Sequence, residues 1–301
     1  MILLNAAALA VLVPSAVWAR IRVTLTYLWR HWRLPRIDRP VRFTEWVQWR
    51  KLHDRDPALA MLTDKIFAKT LAIDTIGQQH VIPILWQGDV LPRQAPWPRP
   101  FIVKANHGCK QFVVVRNDAD WQTALNRAPR WLRKPYGRWL DEWHYTQARR
   151  MLLVEPFIGT AENLPRDYKV YVFGGVARCV QVHVDRGTDH RWVQFDRQWQ
   201  RISDPRVAGC FDRPETLTHM LAAAEAIAGQ RDFLRVDFYE VDGVLLFGET
   251  CLFPGSGLDP FSPPSLDIEL GQHWHGARKR DERPAQHRLG PAASRPLLDP
   301  R

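Results

Sequence analysis

The stretch FLRVDFYEVDGVLLFGETC, residues 233–251, decides the fold. Two strand-like runs flank Asp242-Gly243, a dipeptide typical of the turn in a β-hairpin. With the turn centred near there, Asp237 on the first strand is expected close to directly opposite Glu249 at the end of the second. Paired strands lie roughly 5 Å apart, so the hairpin predicts two carboxylates close together on one face.

This carboxylate pair has two interpretations. Two like charges at that spacing repel each other, and a divalent cation removes the cost. Mg²⁺ prefers one or two carboxylates together with the phosphates of a substrate, so the pair is a candidate metal site. The alternative is a solvent-facing pair whose repulsion is relieved by Arg235 or another basic group.

The remainder of the chain alternates strand pairs with helices. Strands are expected at 101–104, 111–115 and 151–158, and in a second hairpin, 168–173 with 176–182. Helices are expected within 41–76, 118–150 and 214–228. Antiparallel strand pairs with helices between them indicate an α+β fold rather than a doubly wound βαβ chain.

Three basic residues stand where each can hold a phosphate. Lys104 ends a strand before a turn, and a lysine there can reach a phosphate while the turn covers it. Lys169 lies mid-strand and needs a partner if it is buried. Arg186 follows the second hairpin, where an arginine can clamp a transferring phosphoryl group. The plainer alternatives are a surface lysine, an exposed strand face, and neutralisation of the arginine by Asp185.

The composition indicates a globular protein with an anionic partner. The 301 residues carry 42 Lys and Arg against 32 Asp and Glu, a net charge of +10. This excess favours a nucleotide, nucleic acid, acidic glycan or anionic lipid surface. Four cysteines lie far apart without a C-x-x-C, which excludes a zinc ribbon and predicts reduced thiols. No DNA- or RNA-reading motif supports a nucleic-acid binder.

The two ends differ from the body in composition. Residues 1–19 are apolar apart from Asn5 and Ser15, and arginines follow up to residue 36. We interpret 1–36 as a membrane-associated or interfacial helix, with a soluble helix, a start placed too early, or a cleaved signal peptide as alternatives. Residues 37–97 are expected to form a helical N-terminal domain. Residues 275–301, rich in Pro and Arg, are expected to form a disordered basic tail.

Six segments between residues 41 and 272 form an ordered set. They are VRFTEWVQWRKLHDRDPALAMLTDK, FIVKANHGCKQFVVV, LLVEPFIG, RDYKVYVFGG, CVQVHVDR and FLRVDFYEVDGVLLFGETCLFPGSGL. In order and spacing they resemble the ATP-grasp superfamily, and within it the TupA-like branch related to teichuronopeptide biosynthesis. The resemblance implies an ATP-grasp domain over 98–274, in which antiparallel sheets with flanking helices sandwich ATP.

The resemblance also implies a set of site residues. Lys104 and Arg186 would act in catalysis, with Arg186 facing the γ-phosphate or the acyl phosphate. The turn at 106–110 would close over the nucleotide as a lid. Asp237 and Glu249 would hold Mg²⁺ or Mn²⁺. The expected ATP-binding residues are Lys104, His107, Gly108, Lys110, Glu155, Pro156, Phe157, Ile158, Lys169, Asp237 and Glu249.

The resemblance has one departure at the metal and implies one activity. The superfamily's usual third metal ligand, an Asn two residues after the Glu, is Cys251 here. The implied activity is an ATP- and Mg²⁺-dependent carboxylate–amine ligase that forms an acyl phosphate and joins an amino acid to an acidic glycan of the cell surface. Its setting would be the cytoplasm, at the inner face of the membrane. The alternatives are a sugar or polysaccharide kinase or glycosyl-transfer enzyme on this scaffold, and a non-catalytic glycan- or membrane-binding protein.

Overall fold

The protein combines two antiparallel sheets with helices from both ends of the chain. The computed structural model describes residues 15–159, 165–184, 191–204, 206 and 211–281. The helices are α1 (Ser15–His31), α2 (Phe43–His53), α3 (Pro57–Met61), α4 (Lys65–Ile76), α5 (Asp118–Arg133), α6 (Trp143–Gln147), α7 (Leu217–Ala228) and α8 (Pro264–Asp281). The strands are β1 (Trp86–Gly88), β2 (Phe101–Ala105), β3 (Phe112–Val115), β4 (Leu152–Pro156), β5 (Asp167–Phe173), β6 (Val176–Val184), β7 (Arg191–Phe195), β8 (Leu234–Val241) and β9 (Val244–Cys251). The expected α+β class is confirmed.

One face of the larger sheet is apolar, and the other is polar over part of its area and aromatic where Tyr171 and Phe173 pack against Phe43 of α2. Its strand order is β7-β6-β5-β8-β9, and every neighbouring pair is antiparallel. Successive side chains of a strand point to opposite faces. Val170 and Val236 therefore lie on the face that packs against α7, in one buried cluster with Met220 and Ala224 of that helix. The other face carries Lys169 and Asp237, and it forms one wall of the candidate site.

The smaller sheet is built in the same way. Its strand order is β1-β4-β2-β3. Phe101 and Val103 of β2 are buried and cluster with Trp121 and Ala124 of α5, whose apolar side covers this face. Lys104 points the opposite way, as the alternation along β2 requires. The polar face of the smaller sheet therefore forms the second wall.

The N-terminal helices belong to the core of the larger sheet. Phe43 of α2 packs against Phe233 and Trp274 with ring centroids 4.9 and 5.4 Å apart. Arg50 of α2 is fully buried and forms an ion pair with Asp232, just before β8. Strand β1 pairs with β4 in the smaller sheet. Residues 37–97, expected to form a helical N-terminal domain, thus pack against α8 and the start of β8 and contribute β1 to the smaller sheet.

Both ends of the described chain are helical. Helix α8 runs to Asp281, so the expected disordered tail does not begin at 275. Its buried Leu270, Trp274 and Ala277 hold it against the body. Helix α1 packs on the body through Val23 and Tyr27. Among the described residues no helix is long and apolar enough to cross a membrane, and 1–14 and 282–301 lie outside them.

Candidate active site

A row of polar side chains crosses the larger sheet. Asp237 of β8 pairs with Glu249 of β9 on one side and with Lys169 of β5 on the other, and Lys169 pairs in turn with Gln181 of β6. Directly opposed residues of antiparallel strands point to the same face, so all four side chains share it. The predicted pairing of Asp237 with Glu249 is thus what the register shows. A bulge at Gly248 follows it, since Phe238 pairs with Phe247.

Asp237 lies between two cations. Arg235 donates from Nε to Oδ1 and from Nη2 to Oδ2, each at 2.7 Å, and Lys169 Nζ donates to Oδ2 at 2.6 Å. Lys169 Nζ is also 2.6 Å from Asp167. Burial alone would raise the pKa of Asp237, but the attraction of Arg235 and Lys169 lowers it below its ordinary value. Asp237 is therefore a buried, ionised carboxylate.

Glu249 is the more open of the two carboxylates. Its side chain is 37% exposed, and its nearest cationic atoms, Lys65 Nζ and Arg235 Nη2, are both 4.0 Å away. Arg235 therefore relieves charge repulsion, as the second interpretation of the pair supposed, but it does so mainly at Asp237. That carboxylate faces the space between the sheets and not solvent. The two carboxylates differ in how many oxygens they leave for a metal.

The donor set fits Mg²⁺ bound together with phosphates. Within the described part of the chain, no three or more His, Cys, Asp or Glu side chains are arranged so that together they could hold a metal ion. Cys251 pairs with Arg235 across the hairpin, and burial raises the pKa of its thiol to about 12. A neutral thiol is a poor partner for a hard cation, whereas two carboxylates suffice when a substrate supplies phosphate oxygens. The departure at Cys251 is therefore compatible with a two-carboxylate site.

Glu155 holds two lysines on the opposite wall. Lys104 Nζ donates to Glu155 Oε2 at 2.7 Å, and Lys69 Nζ of α4 lies 3.0 Å from Oε1. Burial alone would raise the pKa of Glu155, but the two lysines lower it. Both oxygens of Glu155 are thus engaged by lysines, and its expected part in ATP binding stays a prediction. In this structure Glu155 orients Lys104.

The turn at 106–110 is tied to the start of α4. Asn106 Oδ1 accepts from the Ile66 backbone N–H at 3.0 Å, and Lys65 Nζ donates to the Gly108 carbonyl at 2.6 Å. The His107 ring is buried and lies 3.1 Å from the Trp131 carbonyl. Burial lowers the pKa of His107, so its imidazole is neutral. His107 is thus held against α5. Gly108 and the exposed Lys110 are the other two residues of the turn that were expected to bind ATP.

The segment after β4 runs between the sheets. Pro156 pairs with Phe101, and the Phe157 N–H donates to the Pro100 carbonyl at 3.2 Å. Phe157 and Ile158 are partly exposed. Arg186, expected to act in catalysis, lies outside the described residues. The predicted contacts of Pro156, Phe157 and Ile158 with adenine stay predictions.

Two lysines of α4 were missed from the sequence. Lys65 and Lys69 lie one helical turn apart and reach the site from the same side of α4, Lys65 towards Glu249 and Lys69 towards Glu155. The i, i+4 spacing of two lysines at the start of this helix was the available signal. The described site residues thus include five cations and four carboxylates: Lys65, Lys69, Lys104, Lys169 and Arg235, with Glu155, Asp167, Asp237 and Glu249. Such a cluster suits a polyanion that arrives with a metal ion.

Comparison with known proteins points to one family. A family model described as TupA-like ATP-grasp matches residues 45–275. The fold is similar to the D-alanine–D-alanine ligase from Bacillus anthracis complexed with ATP, with 13% identity over 74% of this chain and 68% of that chain, and a TM-score of 0.46. It is also similar to the VanG D-Ala:D-Ser ligase from Enterococcus faecalis, with 13% identity, 74% and 62% coverage and a TM-score of 0.45.

This chain spans only part of the length of the other matched structures. The chain covers 72% of the D-cycloserine synthetase DcsG, at 16% identity over 75% of this chain and a TM-score of 0.45. It covers only 44% of an L-amino acid ligase from Bacillus licheniformis. None of the curated proteins matches the chain.

Proposed function

The chain belongs to the TupA-like ATP-grasp family of ligase enzymes, and on that premise we propose that it is an ATP- and Mg²⁺-dependent carboxylate–amine ligase. The observation that carries the proposal is the row Lys169–Asp237–Glu249, together with Lys104 of the smaller sheet, which is close enough to Glu249 for their charges to interact. This row combines lysines for phosphates with carboxylates for a metal. Both are needed to bind a nucleoside triphosphate and to transfer its terminal phosphoryl group.

The nucleotide would lie between the two walls. Lys104 and Lys169 would contact its phosphates, and the segment from Glu155 to Ile158 would line the adenine. Asp237 and Glu249 would hold Mg²⁺, which neutralises charge on the phosphates when bound. Each lysine already has a carboxylate partner 2.6–2.7 Å away, so its ammonium group is oriented before the nucleotide arrives. Such preorganisation avoids paying for reorientation during the reaction.

The proposed reaction has two steps. A substrate carboxylate oxygen attacks the γ-phosphorus of ATP, and the bond to the β,γ-bridging oxygen breaks to release ADP. An amine then attacks the acyl carbon of the acyl phosphate, the C–O bond to phosphate breaks, and the amine loses a proton as the amide forms. Lys104, Lys169 and Arg235 would stabilise charge on the transferring phosphoryl group, and Arg186 would join them. The protein's own contribution is positioning and electrostatic stabilisation.

The proposed substrates are an amino acid and an acidic glycan of the cell surface. The support is the TupA-like membership together with the net charge of +10, which favours an acidic acceptor. The proposed setting is the cytoplasm, where ATP is available, at the inner face of the membrane. A kinase acting on the same glycan would share the nucleotide site, so the product separates the two activities.

The experiment is a nucleotide-dependent thermal shift followed by product analysis. A ligand that binds only the folded state adds about 2.7 kcal/mol at one hundred times its dissociation constant. We expect Mg²⁺-ATP to raise the unfolding midpoint by several degrees, and ATP with EDTA to raise it less. ADP release on addition of an acidic oligosaccharide with amino acids should then yield an amide.

The control variant is Asp242→Asn, in the turn of the same hairpin, which should keep the full shift. Glu249→Gln should lose the Mg²⁺-dependent part. The absence of any shift with Mg²⁺-ATP in the full-length chain contradicts the proposal. A phosphorylated glycan as the product would instead establish the kinase.

A further inference from the structure

Helix α1 exposes an apolar stripe along its whole length. Val17, Ile21, Leu25 and Leu28 recur every three or four residues and therefore share one side of the helix. Trp29 continues this side, and Trp32 follows directly after the end of the helix, with 71% and 88% of their surfaces exposed. We call these six residues the α1 stripe. An apolar side of this length, open to water, is expected to have a partner.

The opposite side of α1 is firmly packed. Val23 and Tyr27 are buried against the body, and Tyr27 Oη lies 3.0 Å from Thr44 Oγ1 of α2. Arg22 forms an ion pair with Asp141 at the flank of the helix. These contacts fix the rotation of α1 about its axis. Because the other side of α1 is docked on the body, the fold itself holds the stripe outward.

Exposed apolar side chains are concentrated at this end of the protein. Among the described residues, eight of the fifteen large hydrophobic side chains that are exposed lie between 17 and 41. The other seven are spread from Met61 to Val244. One of the seven, Trp139, is 75% exposed and lies two residues before Asp141, the ion-pair partner of Arg22 in α1. The patch is thus a local feature of the surface.

The charge around the stripe is positive. Residues 15–41 contain six arginines and one aspartate. Arg20, Arg22 and Arg33 form ion pairs with Asp38, Asp141 and Asp267, and the segment keeps an excess of arginines over these partners. We propose that the α1 stripe docks on a lipid bilayer that carries anionic headgroups, with α1 lying in the plane of the surface. Helices that bind in this way combine an apolar side with basic residues, and tryptophan is enriched at the level of the headgroups. The inference concerns a different surface from the nucleotide site and does not depend on the ligase activity.

A second copy of the chain is the less suitable occupant. A symmetric pairing of two stripes would bring the two sets of six arginines together, and like charges disfavour that contact. An anionic bilayer provides both the apolar phase and the opposite charge. The fourteen residues before Ser15 contain no charged side chain and are almost all apolar, so they lead into the stripe from its N-terminal end without opposing the contact.

The same helix is linked to the active-site end of the larger sheet. His31 Nε2 lies 3.0 Å from the Gly257 carbonyl, and Arg30 Nε donates to the Leu258 carbonyl at 3.0 Å. Both carbonyls belong to the loop that follows β9, the strand of Glu249. A bilayer bound at the stripe would therefore hold the site in a fixed orientation to the membrane surface.

The test is sedimentation of the full-length protein with vesicles. The two preparations are phosphatidylcholine alone and phosphatidylcholine mixed with the anionic lipid phosphatidylglycerol. We expect binding to the mixed vesicles, which weakens as salt is added because the charges are screened. Leu25→Glu together with Leu28→Glu should weaken it at least tenfold. Val90→Glu, at an 81% exposed position far from the stripe in sequence, should bind as the wild type does.

Three results decide between the occupants. Equal binding by the wild type and the stripe variant overturns the proposal, since residues 1–14 would then suffice for contact with lipid. The proposal is also overturned if the wild type binds neither kind of vesicle and sediments as a dimer while the stripe variant sediments as a monomer. The stripe would then be an interface between two copies of the chain. Mg²⁺-ATP binding by the stripe variant should match the wild type, which separates loss of docking from loss of folding.

Discussion

Asp237 and Glu249 lie directly opposite each other on β8 and β9, yet only one of them is held by buried cations. Asp237 accepts hydrogen bonds from Arg235 and Lys169 and is buried, whereas Glu249 is 37% exposed and 4.0 Å from its nearest cations. Equivalent positions in the register therefore have different energetic roles. Asp237 stabilises the fold as well as the site, and Glu249 chiefly serves the site.

This difference predicts unequal effects of two amide substitutions on the stability of the fold. Asp237→Asn should lower the free energy of unfolding by about 3–5 kcal/mol, because it leaves buried Arg235 and Lys169 without their shared carboxylate. Glu249→Gln should change it by less than about 0.5 kcal/mol, as expected for a half-exposed side chain. Urea denaturation of both variants measures this. Equal losses in the two variants would contradict the division of roles.

Lys104 is expected to contribute to nucleotide binding more than to stability. Lys104→Met removes a charged donor to a phosphate, so we expect the dissociation constant for Mg²⁺-ATP to rise by about 10- to 100-fold. Lys69 still pairs with Glu155 in the variant. Lys134→Met, an exposed site elsewhere, is the matched control. Titration calorimetry gives both constants, and an unchanged constant for Lys104→Met would assign this lysine a structural role.

Because Lys51 is buried, we expect the free energy of unfolding to rise with pH in the alkaline range. Its ammonium group is buried and donates to the Ser256 carbonyl and hydroxyl at 2.8 and 2.7 Å. Burial lowers its pKa to about 8, against the partial compensation by Glu142. Between pH 8 and the ordinary lysine pKa of 10.5 the unfolded chain binds the extra proton. The free energy of unfolding therefore rises with pH in that window.

The measurement is urea denaturation from pH 7 to 10.5, the upper limit being the ordinary lysine pKa. Lys51→Met should lack the rise, since it has no group to titrate there. A variant that retains the full rise would trace it to another group.

Arg50 is expected to be essential to the packing of α2. It is fully buried, pairs with Asp232, and stacks with its guanidinium 4.4 Å from the Trp274 ring centroid. Arg50→Met leaves Asp232 with the Phe233 backbone N–H, Trp274 and Arg278 as its remaining donors. We expect a loss of about 3 kcal/mol or more in the free energy of unfolding, with a single transition. Two separate transitions would mean that the N-terminal helices fold as their own domain.

Local signals in the sequence were sufficient for the paired strands of the larger sheet. Gly174-Gly175 and Asp242-Gly243 mark two turns, and the strands on either side extend only a few residues beyond their predicted ends. The turn sets Val241 opposite Val244, and a regular ladder from it would place Asp237 opposite Gly248. The bulge at Gly248 brings Glu249 opposite Asp237 instead, so the turn predicted the carboxylate pair only to within one residue.

The C-terminal helix shows where such reasoning failed. Its buried Leu266, Leu270, Trp274 and Ala277 follow helical spacing, but Gly271 and Gly276 weaken the pattern. Gly271 is there for packing, because a Cβ at this position would lie 2.2 Å from the Val41 carbonyl oxygen. The close approach of α8 to the start of α2 joins residues far apart in the chain, and no local pattern reveals it.

The lysines of α4 were hidden for a similar reason. In the sequence, Lys65 and Lys69 look like ordinary polar residues of a surface helix. Only the tertiary fold turns them towards Glu249 and Glu155. The pairing of Lys104 with Glu155 likewise arises from β2 and β4, which are separated by more than forty residues. The strand residues of the site were predictable, whereas their partners depend on how the two sheets meet.

The bulge at Gly248 sets a constraint on how this hairpin can change in evolution. Phe247 pairs with Phe238 on the core face, and Glu249 pairs with Asp237 on the site face, although strict alternation would place both on one side. The extra residue lets Phe247 and Glu249 face opposite sides although they lie two positions apart. Loss of Gly248 alone would remove the bulge and still leave the carboxylate opposite Asp237, next to Phe247 opposite Phe238. In relatives, Gly248 should therefore be the position of this strand at which a deletion of one residue is tolerated.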